Sequence, residues 1–297
     1  MAAIWTGALF ACVWATPVQA WHYAGHYAVV DQTAPILEGR VPAFFIAGSN
    51  TISNCSGDPD TVKDLSPDLL KPLEAPEHFF DYERLGGNPR LPAKRLDFLR
   101  LCKERGIQAS DVGYLPYAIM EWTERLKVAF AEHRHRPNDV AIQAKILVYA
   151  GHLAHYSADL SQPLHVTIHY DGRVGPNGQP SHTGIHNKVD ALLGKAVFEP
   201  DVLKGIVPLR LTNIAERVFA IVRDRAPIAR VYEIESRLPA MADPIGGDPQ
   251  VMAFCRDRLR VAVSLTADLF LTAWEDSANV VFPEWFDRSR SRQAPAP

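Results

Sequence analysis

The sequence predicts an all-α protein with a single multi-helix domain. Apolar residues recur at helical spacing through most of the chain, strand patterns are sparse, and no internal repeat is visible. Of its 297 residues, 47% are hydrophobic, which is ample for a buried core. The formal net charge of −3 gives no basic surface of the kind that duplex-binding proteins use, so any contact with nucleic acid is expected to be local or mediated by metal.

The first twenty residues carry no charged side chain. A mostly apolar run from Ile4 to Trp14 is too short to cross a bilayer, and the segment ends in the small-x-small pattern Val18-Gln19-Ala20. These features predict a cleaved export signal over residues 1–20, with Trp21 as the first residue of the mature chain. No later segment has the roughly 18–20 uninterrupted apolar residues of a membrane span, so the mature protein is expected to be soluble and periplasmic or secreted.

The helices are predicted from apolar periodicity and from the residues that begin or end them. Gly106 suits the position after a helix end, Asn138 or Asp139 can cap the central helix, and Asp248 can cap the last one. The segment 48–59 is rich in turn residues and is expected to be a loop. Helices are predicted over residues 22–37, 92–105, 116–132, 140–161, 208–225, 228–238 and 249–276, within a domain that spans 21–285; the polar tail 286–297 is expected to be disordered.

The central helix carries the first chemically informative segment, AGHLAHYSADLSQPLH. His155 and Asp159 are four residues apart, which puts their Cβ atoms roughly 5–6 Å apart on one helix face. That is close enough for both side chains to bind one metal ion. Pro163 cannot continue the helix, so His165 is expected in a turn that folds back beside the same face.

Further histidines and aspartates extend this pattern. The His-x-x-x-Asp spacing recurs at His186 and Asp190, after a loop of about twenty residues that is long enough to be functional. His26, Asp60 and His78 lie upstream. A lone histidine is more often a packed or surface residue than a ligand. Five histidines and three aspartates, however, are too many for one tetrahedral zinc and enough for a cluster of metal ions.

Four neighbouring residues leave the choice of ligands open. Asp58 and Asp64 compete with Asp60, and His152 and His182 compete with His155 and His186, because each lies close in sequence to its rival.

Taken in order, the segments WHYAGH, PDTVK, EHFFD, HLAHYSADLSQPLH and GIHNKVD resemble the zinc-dependent single-strand nucleases of the S-one/P-one type and the related zinc-dependent phospholipases C. They occur in the order of that superfamily and cover most of residues 21–190. The resemblance implies the helical fold of this superfamily and a site for three zinc ions.

The resemblance also implies which residues bind each ion. One zinc would be bound by Asp60, His78, His155 and Asp159; a second by His165, His186 and Asp190; and a third by His26 with the α-amino nitrogen and carbonyl oxygen of Trp21. Asp159 would bridge the first and third ions. A free α-amine has a pKa of about 7.7–8, so a metal ion can displace its proton near neutral pH.

By the same resemblance, the chain is expected to hydrolyse phosphodiesters through a metal-activated hydroxide, with Asp60 and Lys63 as catalytic residues. The alternative for Lys63 is a solvated surface charge, which is the more common role of a lysine. Phe79 would stack on a base and Asp81 would hydrogen-bond it. The alternatives are core packing for Phe79 and a hydrogen bond to a ligand histidine for Asp81.

The substrate class is the least determined part of the prediction. The loop DGRVGPNGQPSHTGIH lacks the asparagine pattern of the nucleases, and Asn177 is a candidate substitute for it. Phospholipase C relatives have Glu at the position of Asp190, so this aspartate favours the nucleases. Single-stranded DNA, RNA or nucleotides are the expected substrates, for a monomer without a stable protein partner. The alternatives are a phospholipase C acting on phospholipid head groups, which would have an exposed apolar lip, and a zinc-binding relative without turnover.

The cysteines are expected to be structural. Cys12 would leave with the signal, and the mature chain would keep Cys55, Cys102 and Cys255. Export permits one disulfide among these three, and the pairing stays open.

Overall fold

The computed structural model describes residues 21–176, 178–241, 243–245 and 247–286. Within them the chain forms α-helices and 3₁₀ turns and no β-strand; strand-like pairing is limited to an isolated antiparallel bridge between Val174 and Pro180. The predicted all-α class is confirmed. The predicted export signal, Cys12, Asn177 and all but the first residue of the predicted tail lie outside the described residues.

The α-helices are α1 Tyr23–Ile36, α2 Ala43–Ala47, α3 Ser49–Cys55, α4 Asp58–Leu65, α5 Lys71–Glu74, α6 Arg95–Glu104, α7 Ala109–Val112, α8 Leu115–His135, α9 Val140–Ser161, α10 Ile185–Asp190, α11 Leu192–Lys195, α12 Ile214–Arg223, α13 Ala226–Ile234 and α14 Pro249–Asp276. The 3₁₀ turns are Ala75–His78, Tyr82–Leu85, Pro163–Val166, Glu235–Arg237, Ser277–Asn279 and Glu284–Phe286. Of the described helices, none has the length and apolar character needed to span a bilayer.

The helix α9 lies at the centre of the fold and packs against α3, α8 and α14. Its contact with α3 is close at Gly151, where an added Cβ atom would lie 2.5 Å from the Cβ of Cys55. Since no side chain fits there, Gly151 allows the two helix backbones to approach each other.

Both predicted aspartate caps are present. The side chain of Asp139 accepts hydrogen bonds from the backbone N–H groups of Ala141 and Ile142 at the start of α9. Asp248 does the same for the first turn of α14, and α14 has the predicted bounds. These bonds satisfy N–H groups that have no partner within the helix.

Two predicted segments were wrong. The expected loop over 48–59 contains α3 and the start of α4. Both helices are short, so they are stabilised by packing on α9 rather than by a periodic pattern that sequence alone could reveal.

The helix predicted over 208–225 begins only at Ile214. The backbone N–H groups of Leu209 and Leu211 instead donate to Asp268 (2.8 Å) and Thr272 (2.9 Å) on α14. These tertiary hydrogen bonds hold the segment outside the helix, and Asn213 then caps α12. The next helix, predicted over 228–238, is α13 Ala226–Ile234.

The core consists of two apolar clusters that share partly buried neighbours at Ile36 and Tyr232. Ala154 belongs to one cluster and Ala158 to the other. His155 and Asp159, which follow these alanines on α9, therefore lie where the two clusters meet. Both side chains are completely buried.

The three cysteines of the described chain, Cys55, Cys102 and Cys255, are buried free thiols. The disulfide that export would permit is therefore not formed among them. Cys102 and Cys255 belong to the apolar core clusters, which is typical of structural cysteines.

Candidate metal centre

Eight of the predicted metal-binding side chains come together in the interior. They are His26, Asp60, His78, His155, Asp159, His165, His186 and Asp190, and none is more than 5% exposed. They come from α1, α4, α9, α10 and two 3₁₀ turns. Residues that are spread along the sequence from His26 to Asp190 therefore meet in one buried site.

These residues form three groups in which the potential ligand atoms all lie within 4.8 Å of one another. The His26 cluster contains His26, Asp60 and His155; the His78 cluster contains His78, His155 and Asp159; and the His165 cluster contains His165, His186 and Asp190. His155 belongs to two clusters, which makes them adjacent. The ligand sets expected from the resemblance grouped Asp60 and His155 with His78. In the structure, Asp60 and His155 form a cluster with His26, and His155 also belongs to the His78 cluster.

Asp159 connects the clusters. Its Oδ2 lies 3.2 Å from Nδ1 of His78 and 3.2 Å from Nε2 of His155. Its Oδ1 lies 3.5 Å from Nε2 of His26 and 3.9 Å from Nδ1 of His165. One carboxylate thus faces a histidine from every cluster, which is the position expected of a bridging ligand.

The end of α9 explains how His165 reaches this site. Gln162 leaves the helical conformation, with ψ at 112°, and Pro163 begins a 3₁₀ turn that carries His165. The predicted helix end and the turn back toward Asp159 are both present. His186 and Asp190, on α10, complete the cluster with their side chains 3.1 Å apart.

Backbone carbonyls orient three of the histidine rings. Nδ1–H of His155 donates to the carbonyl oxygen of Ser56 at 2.8 Å. Nδ1–H of His165 donates to the carbonyl oxygen of His78 at 2.8 Å, and that of His186 donates to the carbonyl oxygen of Tyr170 at 3.2 Å. Because a carbonyl oxygen only accepts, Nδ1 carries a proton in each of the three rings, and Nε2 faces the cluster. This is the arrangement that a histidine needs to bind a metal.

Gln162 is a supporting residue that the sequence reasoning missed. It is fully buried, and its Nε2 donates to Oδ1 of Asp190 at 2.6 Å. Its Oε1 accepts the backbone N–H of Leu164 at 2.7 Å. The side chain therefore fixes both the carboxylate of Asp190 and the turn that holds His165. The available signal in the sequence was an amide residue directly before Pro163, at the predicted end of the helix.

Several buried polar atoms of the site have no hydrogen-bond partner in the described part of the chain. They are Nδ1 and Nε2 of His26, Nε2 of His78, His165 and His186, Oδ1 of Asp159 and Oδ2 of Asp190. Buried polar atoms are rarely left without a partner. Divalent metal ions would satisfy these atoms, and a set of imidazole nitrogens and carboxylate oxygens suits zinc.

The electrostatics of the site also favour a cation. Burial, together with positive neighbours, lowers the pKa of His26, His78 and His165 well below the usual value, so these rings are neutral. Burial opposes charge on His155 as well, but the carboxylates of Asp159 and Asp60 raise its pKa. Burial raises the pKa of Asp159. A bound cation would compensate the carboxylate charge that the interior disfavours.

Asp60 has a buried partner in Lys63. The Nζ atom of Lys63 donates to Oδ1 of Asp60 at 2.5 Å, and the lysine is only 4% exposed. The prediction that Lys63 could be a surface charge was wrong, because the tertiary fold covers this turn of α4. Asp58 and Asp64 belong to none of the three clusters.

The competing histidines lie elsewhere. The ring of His152 stacks on Trp122, with centroids 4.4 Å apart. The side chain of His182 is 63% exposed and lies 3.5 Å from Asp171. Neither belongs to a metal cluster of the described residues.

Trp21 lies beside the centre and is completely buried. Its indole N–H donates to the carbonyl oxygen of Ala158 (2.9 Å) and to Ser161 (3.1 Å) on α9. The backbone N–H of His22 donates to the carbonyl oxygen of Asp190 (3.2 Å). The peptide that joins Trp21 to His22 therefore lies next to the His165 cluster.

The predicted substrate residues follow His78 directly. Phe79 is half-buried and belongs to neither apolar cluster of the described chain. Asp81 is buried and accepts a hydrogen bond from Nε of Arg84 at 2.9 Å. Burial raises the pKa of Asp81 to about 6, although Arg84 opposes the shift. The expected alternative for Asp81, a bond to a ligand histidine, is replaced by this bond to Arg84.

Comparisons with protein-family models, with curated proteins and with solved structures gave no match for this chain.

Proposed function

We propose that this protein is a phosphodiesterase that depends on three zinc ions and cleaves single-stranded nucleic acid. The observation that carries the proposal is the arrangement of three adjoining His/Asp clusters around Asp159, with unpartnered nitrogen and oxygen atoms facing inward. Adjacent divalent ions activate water and stabilise the attacking and the departing oxygen during displacement at the phosphorus of a phosphate ester. In this proposal the chain is exported and acts as a monomer without a protein partner.

Asp60 and Lys63 have distinct roles in the proposed reaction. Lys63 holds Oδ1 of Asp60 in place through a bond of 2.5 Å. A carboxylate fixed in this way can orient a water molecule and accept its proton. The ammonium group also adds positive charge in a buried site, where it stabilises the negative charge that develops on phosphate more strongly than in water.

The segment after His78 is the proposed binding site for the nucleic acid. The backbone N–H of Phe80 donates to the carbonyl oxygen of His165 at 2.7 Å, so this segment runs along the metal centre. Phe79 has no place in the apolar clusters and offers an aromatic face for stacking on a base. Arg84, with 41% of its side chain exposed and its Nε held by Asp81, offers a positioned guanidinium for a neighbouring phosphate.

A second candidate, a phospholipase C, is supported by an exposed apolar segment. Leu65, Leu69 and Leu73 are 80%, 72% and 65% exposed. They lie between Asp60 and His78, so both ends of the segment are anchored at the metal centre. Three exposed leucines beside a proposed active site could contact a lipid surface.

One experiment separates these functions. Purified protein is incubated with single-stranded DNA, RNA, 3′-mononucleotides and phosphatidylcholine vesicles, each with and without a chelator. The proposal predicts chelator-sensitive cleavage of the nucleic acids. Cleavage of phosphatidylcholine alone would favour the phospholipase, and metal binding without any cleavage would identify a zinc-binding protein without turnover.

A further inference from the structure

A cavity with a mixed polar and apolar lining adjoins the turn that follows α9. It has a volume of about 240 Å³ and lies between the end of α9, the Pro163–Val166 turn, α12 and α14. Ser161, Pro163 and Val166 line it, whereas Gln162 and His165 of the same turn contribute to the metal centre. The cavity is therefore a separate space that shares one turn with that centre.

Arg258 lines this cavity from α14 without a hydrogen-bond partner. Its Nε atom is buried, and none of the described residues accepts a hydrogen bond from its guanidinium. Burial lowers its pKa, although the carboxylates of Asp257 and Asp224 oppose the shift. A buried donor without an acceptor is costly, and a guanidinium keeps its charge in any ordinary environment. The cavity therefore contains an unsatisfied cationic donor.

The charged side chains that line the cavity are those of Arg217, Asp224 and Arg258. Arg217 lines it from α12 and also forms an ion pair with Asp268, with its Nε 3.9 Å from Oδ2 of that residue. Asp224 is the acidic lining residue, and its Oδ1 already accepts the backbone N–H of Ala226 at 3.1 Å. Two guanidinium groups thus face one carboxylate.

We propose that this cavity is a binding site for a small tetrahedral oxyanion that carries a compact apolar substituent. The oxygens of such an anion match the planar set of donors on Arg258, and Arg217 adds a second positive charge. The walls formed by Ile221, Pro227 and Val261 would bury the apolar part. The site is independent of the metal-binding side chains, so it stands whether or not the protein is a phosphodiesterase.

The test is a calorimetric titration of the metal-loaded full chain with sulfate and with benzenesulfonate, two anions that bind zinc weakly. We expect one saturable site that binds benzenesulfonate more tightly than sulfate. Arg258→Met should weaken binding at least about tenfold, since it removes the charged hydrogen bonds. Arg256→Met is the matched control, because Arg256 is exposed on the same helix and should leave binding unchanged.

Arg217→Met changes a cavity residue on a different helix and should also weaken binding. It tests the proposal even if Arg258→Met fails to fold. Crystals soaked in selenate should show an anomalous peak beside Arg258. The proposal is overturned if the native chain binds neither anion, or if binding is equally strong in folded Arg258→Met and Arg217→Met. The bound metal is measured for each variant and should not change, which distinguishes this result from a failure of the metal centre.

Discussion

Oδ1 of Asp159 lies 3.5 Å from Nε2 of His26, although the two residues are 133 positions apart in the chain. The other oxygen of the same carboxylate faces His78 and His155. A single buried side chain therefore joins the helix at the start of the described chain to the ligands of the central helix. The proposed function depends on this carboxylate holding two metal ions next to each other.

Replacing Asp159 with Asn should remove two metal ions together. The amide cannot supply the negative charge that both neighbouring sites share, whereas the His165 cluster keeps its own carboxylate, Asp190. Native mass spectrometry counts the bound ions in each variant. Asp268→Asn is the control, since Asp268 is a buried carboxylate on α14 outside the clusters and should retain every ion. Loss of one ion alone from Asp159→Asn would contradict the bridging role.

Replacing Gln162 with Leu should weaken metal binding at the His165 cluster. The change removes the 2.6 Å hydrogen bond to Asp190, and losing such a support usually lowers metal affinity by about 10–100-fold. Competition with a chromogenic chelator measures the affinity. Gln143→Leu is the control. The amide of Gln143 lies near the other end of α9 and donates to the carbonyl oxygen of Pro137, so this change should have no effect. Equal affinities in the two variants would show that Gln162 does not position Asp190.

Replacing Lys63 with Met should lower kcat by about 10²-fold while the metal content stays the same. The variant loses the group that fixes Asp60 and, in the proposed reaction, a positive charge near the phosphate. Steady-state kinetics on single-stranded DNA provide the measurement. Lys71→Met, an exposed lysine nearby, should behave as the native protein. A normal kcat for Lys63→Met would restrict the lysine to a structural role.

Replacing Phe79 with Ala should raise KM for nucleotides with little change in bound metal. Stacking of a base on an aromatic ring is worth about 1–3 kcal/mol, which corresponds to roughly a 5- to 150-fold change in binding. KM is measured for short oligonucleotides, and the thermal midpoint reports on folding. An unchanged KM combined with a lower thermal midpoint would mean that Phe79 contributes to packing only.

His152 should make the protein less stable in mild acid. Burial lowers the pKa of this ring to about 4, whereas an unfolded histidine has a pKa of about 6.5. Between these values the unfolded chain binds the proton and the folded chain does not. Its stabilising contribution is therefore complete above pH ~6.5 and is lost, by roughly 3 kcal/mol, as the pH falls toward ~4.

Urea unfolding at about pH 7.5 and about pH 4.5 measures this effect. His152→Phe keeps a ring against Trp122 but cannot be protonated, so it should lose less stability between the two values than the native chain. The histidines of the three clusters are the same in both proteins, so their titration does not affect the difference. Parallel losses in both would exclude His152 as the cause.

The features that sequence predicted well are those fixed by local rules. Asp139 and Asp248 cap their helices because a carboxylate can accept N–H groups two and three residues ahead, and Pro163 ends α9 because it lacks an N–H donor. The pairs His155/Asp159 and His186/Asp190 lie together because helical geometry places residues four apart on one face.

The features that sequence missed are those decided by tertiary contacts. Leu209 and Leu211 lie in a non-helical segment because they donate to side chains on α14, and no local pattern encodes those partners. Lys63 is buried because the fold closes over it. The exposure of Leu65, Leu69 and Leu73 reverses what their apolar character suggests, so the apolar segment beside the metal centre became visible only in three dimensions.

The central claim is that three divalent ions are bound around Asp159, and anomalous diffraction at the zinc edge tests it most directly. Crystals of the zinc-loaded protein should give three adjacent anomalous peaks, one each at the His26, His78 and His165 clusters. Strong zinc peaks at other positions only, with none among these side chains, would contradict the proposed metal centre and the phosphodiesterase built on it.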